Sequence, residues 1–287
     1  MNRVQAPRAR LVITIFFSLF CWLLVGLSSP DPGPSVFSAY LVANLPFLAL
    51  AIALLLSAKY LIARPLLTLV TDRPTFQYGR FASAFILYSI CALLFLIIGA
   101  LRHPGTVRYN PAPTLHRLLF IALALVITPI QTSGEELLFR ILPVRLFFPA
   151  KLRPNILVSL ASALLFTLPH LSNQEVALSA NKASVLAYYA LFGFGVTAIC
   201  LATGGFEVAL AVHAANNLHV ALICNYHNSS LPSIPLFYTD RSPGGWLELA
   251  QLFISLGIVG LSLYWQNKND PSQSPRPTQQ SNQRIDQ

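Results

Sequence analysis

Long apolar stretches recur along the whole chain, separated by short connections rich in proline, glycine and basic residues. Stretches of about 18 to 25 apolar residues can cross roughly 30 Å of hydrocarbon as an α-helix. The pattern therefore predicts an all-α fold, a polytopic transmembrane helical bundle of about eight helices. The predicted spans are residues 11–28, 36–58, 81–101, 116–140, 156–171, 184–203, 206–225 and 246–265.

A seven-helix bundle is the main alternative to this count. The fifth predicted span is short, and only Thr203, Gly204 and Gly205 separate the sixth from the seventh.

The first span follows several arginines and resembles a signal peptide. Its apolar run is longer than the usual core of a signal, however, and no small-residue cleavage motif follows it. We therefore expect an uncleaved first helix.

The composition argues against a soluble protein. Hydrophobic residues make up 55% of the chain and charged residues 10%, whereas a soluble domain has about 25% charged residues. We predict three regions: a cytoplasmic N-terminal tail at 1–10, the transmembrane bundle at 11–265 and a disordered C-terminal tail at 266–287. The last is rich in Gln, Asn, Ser and Pro and has almost nothing apolar.

Basic residues predict the orientation of the bundle. The chain has 19 Lys and Arg against 10 Asp and Glu, and most of the basic residues lie in the two tails and in the connections at 59–80 and 140–153. Because cytoplasmic connections carry the excess of Lys and Arg, we expect both termini in the cytoplasm. Short connections and a simple basic N-terminus favour a prokaryotic plasma membrane. This distribution predicts a lipid bilayer as partner and no nucleic acid.

Three short segments place polar side chains in apolar spans, where such residues are costly and usually functional. In the first, Glu136 and Arg140 lie four residues apart and can form an ion pair on one helix face. Glu135 points about 100° away and is free to face a cavity, where a carboxylate can act as a general base. The alternative is that both glutamates lie at the water interface.

The second and third segments add histidines and an amide. Phe166 and His170 share a helix face at the end of the fifth span, although His170 by itself is more typical of an interfacial residue. His213 and Asn217 stand four residues apart in the seventh span, with small residues between them. Two neutral donors on one face suit an oxyanion site. Polar residues also bond neighbouring helices in membrane bundles, which is the alternative interpretation.

The surroundings of these segments carry three further expectations. Asn216 and His219 point elsewhere and are interpreted as packing or helix-contact residues. His170 follows the start of its span by some 14 residues and His213 by about seven, so helices that begin at one level cannot bring them together. Either the fifth helix begins deeper in the membrane or the site lies nearer mid-membrane. A break of the fourth span at 132–134 would place Glu135 near a helix N-terminus.

The three segments together resemble the motifs of a known family. Glu-Glu-x-x-x-Arg, then Phe-x-x-x-His, then His-x-x-x-Asn occur in this order on successive apolar segments between about 118 and 222. This arrangement is similar to that of the CAAX prenyl protease and bacteriocin-processing (CPBP) family, also called type II CAAX endopeptidases. The resemblance implies an intramembrane glutamic-type endopeptidase that acts on a membrane-anchored peptide or protein.

The resemblance also implies a role for each motif residue. Glu135 and His170 match the residues that activate water, His213 and Asn217 match those that stabilise the oxyanion, and Glu136 and Arg140 match the supporting pair. A carboxylate base, a histidine that positions water and two donors form a complete hydrolytic set without a nucleophilic Ser or Cys.

A zinc-dependent version of the protease is an alternative, because two histidines and a glutamate match the donor set of a catalytic zinc site. We predict no cofactor, since the sequence has no H-E-x-x-H and the candidate ligands come from separate helices. The four cysteines lie in or at the end of apolar spans without CxxC spacing, which predicts core residues.

Two functions without proteolysis stay open at this point. A non-enzymatic membrane protein, such as an immunity factor or scaffold, could use the polar cluster for stability. A transporter could use buried Glu and His as a proton relay, although the chain has no discernible repeat and no paired broken helices. The enzyme requires Glu135, whereas the scaffold tolerates Glu135→Gln.

Overall fold

The computed structural model describes residues 7–149, 151–241 and 244–268. Within these ranges the α-helices are α1 (Arg8–Leu27), α2 (Val36–Ser57), α3 (Leu67–Val70), α4 (Tyr78–Arg102), α5 (Thr114–Glu136), α6 (Leu142–Phe147), α7 (Ile156–Thr167), α8 (Gln174–Leu178), α9 (Lys182–Thr203), α10 (Glu207–Leu218) and α11 (Trp246–Lys268). The π turns are Ala58–Ile62 after α2, Leu137–Ile141 after α5 and His219–Ile223 after α10, and a 3₁₀ turn, Leu168–Ser172, follows α7. The strands are β1 (Val107–Tyr109), β2 (Cys224–Tyr226) and β3 (Phe237–Thr239).

The predicted polytopic helical bundle is confirmed. Among the described residues, six helical segments are long and apolar enough to cross a membrane, and two shorter apolar ones, Ile156–Ser172 and Glu207–Ile223, complete the predicted order. Most boundaries agree within a few residues. The fourth span is the exception, since it continues to Phe147. The π turn that contains Arg140 is buried and joins α5 to α6, so the helical run does not end at its arginine.

The predicted tails lie largely outside the described residues, which exclude 1–6 and 269–287. Helical structure reaches slightly beyond the predicted bundle of 11–265. α1 begins at Arg8 and α11 ends at Lys268, because the polar residues at both ends still fit the first and last helical turns.

At one end of the bundle, the connection that follows α2 is fastened to the turn between α9 and α10. The Phe206 N–H donates to the Val70 carbonyl at 2.8 Å, and the Asp72 N–H donates to the Gly204 carbonyl at 3.1 Å. Gly204 has a φ of 75°, the left-handed conformation with which glycine commonly ends a helix. This end carries the basic connections at 59–80 and 140–153.

At the opposite end, three short strands form a sheet in the order β1-β3-β2. β1 runs antiparallel to β3, with Tyr109 opposite Phe237, and β2 runs parallel to it, with Cys224 opposite Phe237. The sheet therefore ties the connection after α4 to the one after α10. The sequence did not predict these strands, because three residues are too few for a visible alternation of polar and apolar positions.

The two shorter apolar helices lie among the longer ones. α7 packs tightly on α9, where a Cβ added at Gly193 would lie 2.7 Å from the Cα of Ala163. Only glycine permits this approach. The contact brings the rings of Phe166 and Phe192 to 5.1 Å between centroids. α10 packs against α4, α5 and α9, so the three polar segments meet inside the bundle.

Candidate active site

A cavity of about 470 Å³ reaches from the sheet end of the bundle into its interior. Its outer lining includes Ser172, Ser230 and Thr239, which belong to connections at that end. The predicted catalytic residues all contribute to its lining: Glu135, His170, His213 and Asn217. Side chains from α5, the turn after α7, and α10 therefore converge on one space.

Glu135 lies on the cavity wall and is 6% exposed. Its Oε1 accepts a hydrogen bond from Gln131 Nε2 at 3.1 Å, and its Oε2 lies 3.6 Å from His213 Nε2. The expected break at 132–134 is wrong, since α5 continues through these residues to Glu136. Gly134 instead provides room for Leu50 of α2, whose Cδ2 would lie 3.2 Å from a Cβ at this position.

Glu136 and Arg140 form the predicted ion pair, and neither side chain is exposed. Glu136 therefore does not lie at a water interface. Its second oxygen, Oε1, bonds His213 Nδ1 at 2.8 Å. Arg140 lies over the Phe166 ring at 4.9 Å and donates from Nε to Thr197 Oγ1 at 3.0 Å. The pair thus supports the cavity wall from behind through His213 and Phe166.

The bond to Glu136 decides which nitrogen of His213 carries a proton. An ionised carboxylate only accepts, so Nδ1–H donates, and in the neutral ring Nε2 is an acceptor. The ring is held edge-on against Phe166 and Phe192, each at 5.5 Å between centroids. This differs from the expected pair of neutral donors on α10. His213 becomes a donor toward the cavity only when Nε2 receives a proton, and Glu135 is the adjacent acid or base.

His170 lies in the 3₁₀ turn after α7, with its ring between two aromatic rings. Phe166 is 4.8 Å from it and Tyr189 4.3 Å, measured between centroids. Nδ1 bonds the Phe166 carbonyl at 2.6 Å, and a carbonyl can only accept. The neutral ring therefore has Nε2 as an acceptor. A fixed ring with one acceptor nitrogen is suited to orient a water molecule.

The depth of the two histidines is reconciled by an offset between their helices. The ring contact places Phe166, rather than His170, level with His213. α7 begins at Ile156 and α10 at Glu207, so α7 starts about one turn farther from this level than α10. The two helices therefore do not begin at one level, and both histidines line the same cavity.

Asn217 stands on α10 one turn after His213. Its Oδ1 accepts a hydrogen bond from Asn216 Nδ2 at 3.1 Å. Asn216 accepts two tyrosine hydroxyls from α4 and α9, which confirms its interpretation as a helix-contact residue. The expectation that Asn216 and His219 point elsewhere is wrong, because both line the same cavity as His213 and Asn217.

Several groups around the site were not predicted from the sequence. They are Gln131, Tyr188, Tyr189, Phe192 and Thr197. The sequence could have predicted Gln131 as a partner of Glu135, because it precedes Glu135 by one helical turn. The aromatic residues of α9 had no such signal, since an aromatic residue that packs on an imidazole looks like any other aromatic residue of a span.

Within the described ranges, no group of three or more His, Cys, Asp or Glu side chains is placed to hold a metal ion. Nδ1 of each site histidine bonds a protein oxygen, so Nε2 is the acceptor nitrogen of each neutral ring. The four cysteines are free thiols, and Cys91, Cys200 and Cys224 are buried, as expected of core residues.

Two comparisons with known proteins give matches to the central part of the chain. Residues 114–219 match the family model described as Type II CAAX prenyl endopeptidase Rce1-like. The chain is 28% identical over 221 residues to the uncharacterized protein YyaK of Bacillus subtilis (strain 168), covering 76% of this chain and 72% of that protein. No solved structure matches the chain. The matched segment includes all the predicted site residues, whereas α1, α2, α4 and α11 lie outside it.

Proposed function

We propose that this protein, whose residues 114–219 match the Rce1-like type II CAAX prenyl endopeptidase model, hydrolyses a peptide bond of a membrane-anchored peptide or protein. The match to this family model supports an intramembrane protease. The observation that supports specific roles is the convergence of Glu135, His170, His213 and Asn217, from three helical segments, on one cavity.

Glu135 acts as the general base in this mechanism. A water molecule that donates to Glu135 and to His170 Nε2 has its oxygen aimed at the substrate carbonyl. As the new C–O bond forms, one water proton passes to Glu135 and the C=O electron pair moves onto the carbonyl oxygen. Asn217 Nδ2 donates to the developing oxyanion.

His213 lies where it can share that proton. Its Nε2 is 3.6 Å from Glu135 Oε2, and a proton on Nε2 makes the ring a second donor to the oxyanion. Ionised Glu136 stabilises the resulting imidazolium, while Arg140 keeps Glu136 ionised. When the C–N bond breaks, the electron pair on the oxyanion forms C=O again. The electron pair of the C–N bond stays with nitrogen, and the proton passes to the leaving amine. The products are a carboxyl group and an amine.

The central test compares Glu135→Gln with Glu175→Gln in cells. Glu175 lines the same cavity near its mouth, where its carboxylate accepts hydrogen bonds from Ser229 and Ser230, so it is a matched carboxylate without a proposed chemical role. Membrane peptides from cells with each variant are compared by mass spectrometry. We expect Glu135→Gln to lose at least a hundredfold in cleavage and Glu175→Gln to retain it.

The same comparison identifies the substrate, because cleaved ends that disappear only with Glu135→Gln belong to it. Retained cleavage in a folded, inserted Glu135→Gln protein refutes the glutamate-base mechanism and favours a scaffold role for the cluster.

We further propose that the hydrolytic step uses protein groups alone. The support is that no group of three or more His, Cys, Asp or Glu side chains among the described residues is placed to hold a metal ion. Purified protein is dialysed against a strong chelator and assayed with the identified substrate. Unchanged turnover is expected, and loss of activity that zinc restores would contradict the proposal.

The cavity opens at the end opposite the basic connections. With both termini in the cytoplasm of a prokaryotic cell, as the charge distribution predicts, this mouth faces the outside of the plasma membrane. We therefore propose that the substrate enters as a membrane-anchored segment from the extracytoplasmic side.

This orientation is tested by cysteine labelling without any cleavage assay. Asn228 and Thr75 are both exposed, the first in the connection near the cavity mouth and the second in the connection at the other end. A membrane-impermeant maleimide should label Asn228→Cys in intact cells and Thr75→Cys only after permeabilisation. The reverse pattern means that the mouth faces the cytoplasm.

A further inference from the structure

The hydrogen bonds of the site determine which side chain of α10 can donate to an oxyanion. Because His213 donates from Nδ1 to Glu136, its neutral ring has no donor toward the cavity. The amide of Asn217 is then the neutral donor available to an oxyanion from α10. An amide has a donor end and an acceptor end, so its orientation decides whether it stabilises or repels negative charge.

Asn216 fixes that orientation. Its Nδ2 donates to Asn217 Oδ1 at 3.1 Å, which occupies the acceptor end of the Asn217 amide. Both side chains line the cavity. No described residue accepts a hydrogen bond from Asn217 Nδ2, so the donor end is free to bond a substrate.

Two tyrosines fix Asn216 in turn. Tyr88 of α4 and Tyr188 of α9 donate their hydroxyls to Asn216 Oδ1 at 2.9 and 3.0 Å. Since hydroxyl donors occupy its acceptor end, the Asn216 amide must direct Nδ2 toward Asn217. The two tyrosine oxygens lie 3.4 Å apart, and Tyr88 is fully buried. Donors from two different helices thus hold a single oxygen.

We propose that Asn216, Tyr88 and Tyr188 form a positioning network that holds the Asn217 amide with its donor end toward the scissile carbonyl. This inference rests on the proposed function and extends it to residues that do not touch the reacting atoms. Tyr88 lies outside the segment that matches the family model, so part of the network comes from a helix beyond that domain.

The sharpest test is Asn216→Asp. The carboxylate has nearly the shape of the amide and still accepts both tyrosine hydroxyls, but it cannot donate to Asn217. The Asn217 amide is then expected to turn and donate its own Nδ2 to the new carboxylate, which directs Oδ1 toward the oxyanion. We expect kcat to fall about a hundredfold, as for loss of one oxyanion donor, with KM and the thermal midpoint nearly unchanged.

Tyrosine variants test the shared role of the hydroxyls. Tyr88→Phe and Tyr188→Phe each leave one donor on Asn216 Oδ1, so each should lower kcat by less than about threefold. The double variant leaves the oxygen without either donor and should lower kcat by about thirtyfold or more, well beyond the product of the single effects. Tyr40→Phe is the matched control, since it removes another buried hydroxyl that bonds Thr128 at 2.7 Å outside the cavity lining.

The control should lower the thermal midpoint without changing kcat, because its hydroxyl serves packing alone. The network proposal is overturned if Asn216→Asp turns over like the wild type, or if all tyrosine variants lower stability and leave kcat unchanged. Glu135→Gln, assayed in parallel, distinguishes failure of the proposed function from failure of the network proposal. If it retains activity the proposed function fails, whereas an inactive Glu135→Gln beside a fully active Asn216→Asp refutes only the network.

Discussion

Two buried arginine–carboxylate pairs lie on the same helical run, yet their surroundings differ. Arg140 pairs with Glu136 in the middle of the bundle, and both side chains are fully buried. Arg145 pairs with Asp72 near one end at 2.8 Å, with side-chain exposures of 3% and 13%. Burial and charge are nearly the same in the two pairs, so neither property distinguishes a reactive site from a structural one.

The remaining partners of each pair provide the distinction. Arg145 also donates to the Leu69 carbonyl at 2.7 Å, and Asp72 accepts the Leu152 N–H at 2.7 Å. These partners are backbone groups of connections, so this pair fastens loops. The second oxygen of Glu136 bonds His213, which lines the cavity. A buried ion pair therefore indicates function when its carboxylate also holds a titratable side chain that faces a cavity.

The largest effect is expected from Arg140→Met. It leaves Glu136 buried without a cation, which costs about 3–5 kcal/mol of stability, and it removes the charge that keeps Glu136 ionised. Thermal unfolding in detergent should show a large fall in the midpoint, and cleavage should be lost. A stable and active Arg140→Met protein would contradict the supporting role of the pair.

The double variant Glu136→Leu with Arg140→Met separates stability from function. Apolar residues that replace a whole buried ion pair are often neutral or stabilising, so the thermal midpoint should recover most of its loss. Cleavage should stay absent, because His213 has lost the acceptor for its Nδ1 proton. If cleavage recovers together with stability, the pair is structural only.

Asp72→Asn tests the other pair. We expect a loss of about 2 kcal/mol, typical of a hydrogen bond to a charged group, because Asp72 is partly exposed, while cleavage per folded molecule stays within about twofold of the wild type. Size-exclusion chromatography gives the folded fraction by which activity is normalised. A drop in normalised activity as large as that of Arg140→Met would erase the contrast between the two pairs.

The smallest effect is expected from Thr197→Val. Thr197 Oγ1 accepts from Arg140 Nε at 3.0 Å and also bonds Ser162 Oγ at 2.8 Å. Its removal should cost about 1.5 kcal/mol, typical of a hydrogen bond to a charged group, and should lower cleavage only modestly. Ser162→Ala, which keeps the bond to Arg140, is the control. Equal losses of activity in both variants would show that Arg140 does not depend on Thr197.

Much of the fold was predictable because the bilayer requires it. A helix that crosses hydrocarbon satisfies its own backbone and exposes apolar side chains, so eight apolar stretches predicted eight helical segments. The π turn at 137–141 and the three-residue strands escaped prediction, because each depends on contacts with other segments. Gly193 shows the same limit, because a residue without a Cβ is required there only by the close approach of Ala163 from another helix.

The sequence by itself predicted the four candidate catalytic residues that line the cavity. It also determined the pairing of Glu136 with Arg140, because four residues along a helix fix that geometry locally. The tertiary structure alone decided which nitrogen of His213 carries the proton, since its partner Glu136 is 77 positions away. It also decided the direction of the Asn217 amide, through a tyrosine 128 positions before Asn216. Helical periodicity reports which face a side chain lies on, whereas the direction of a hydrogen bond depends on the group that the neighbouring helix presents.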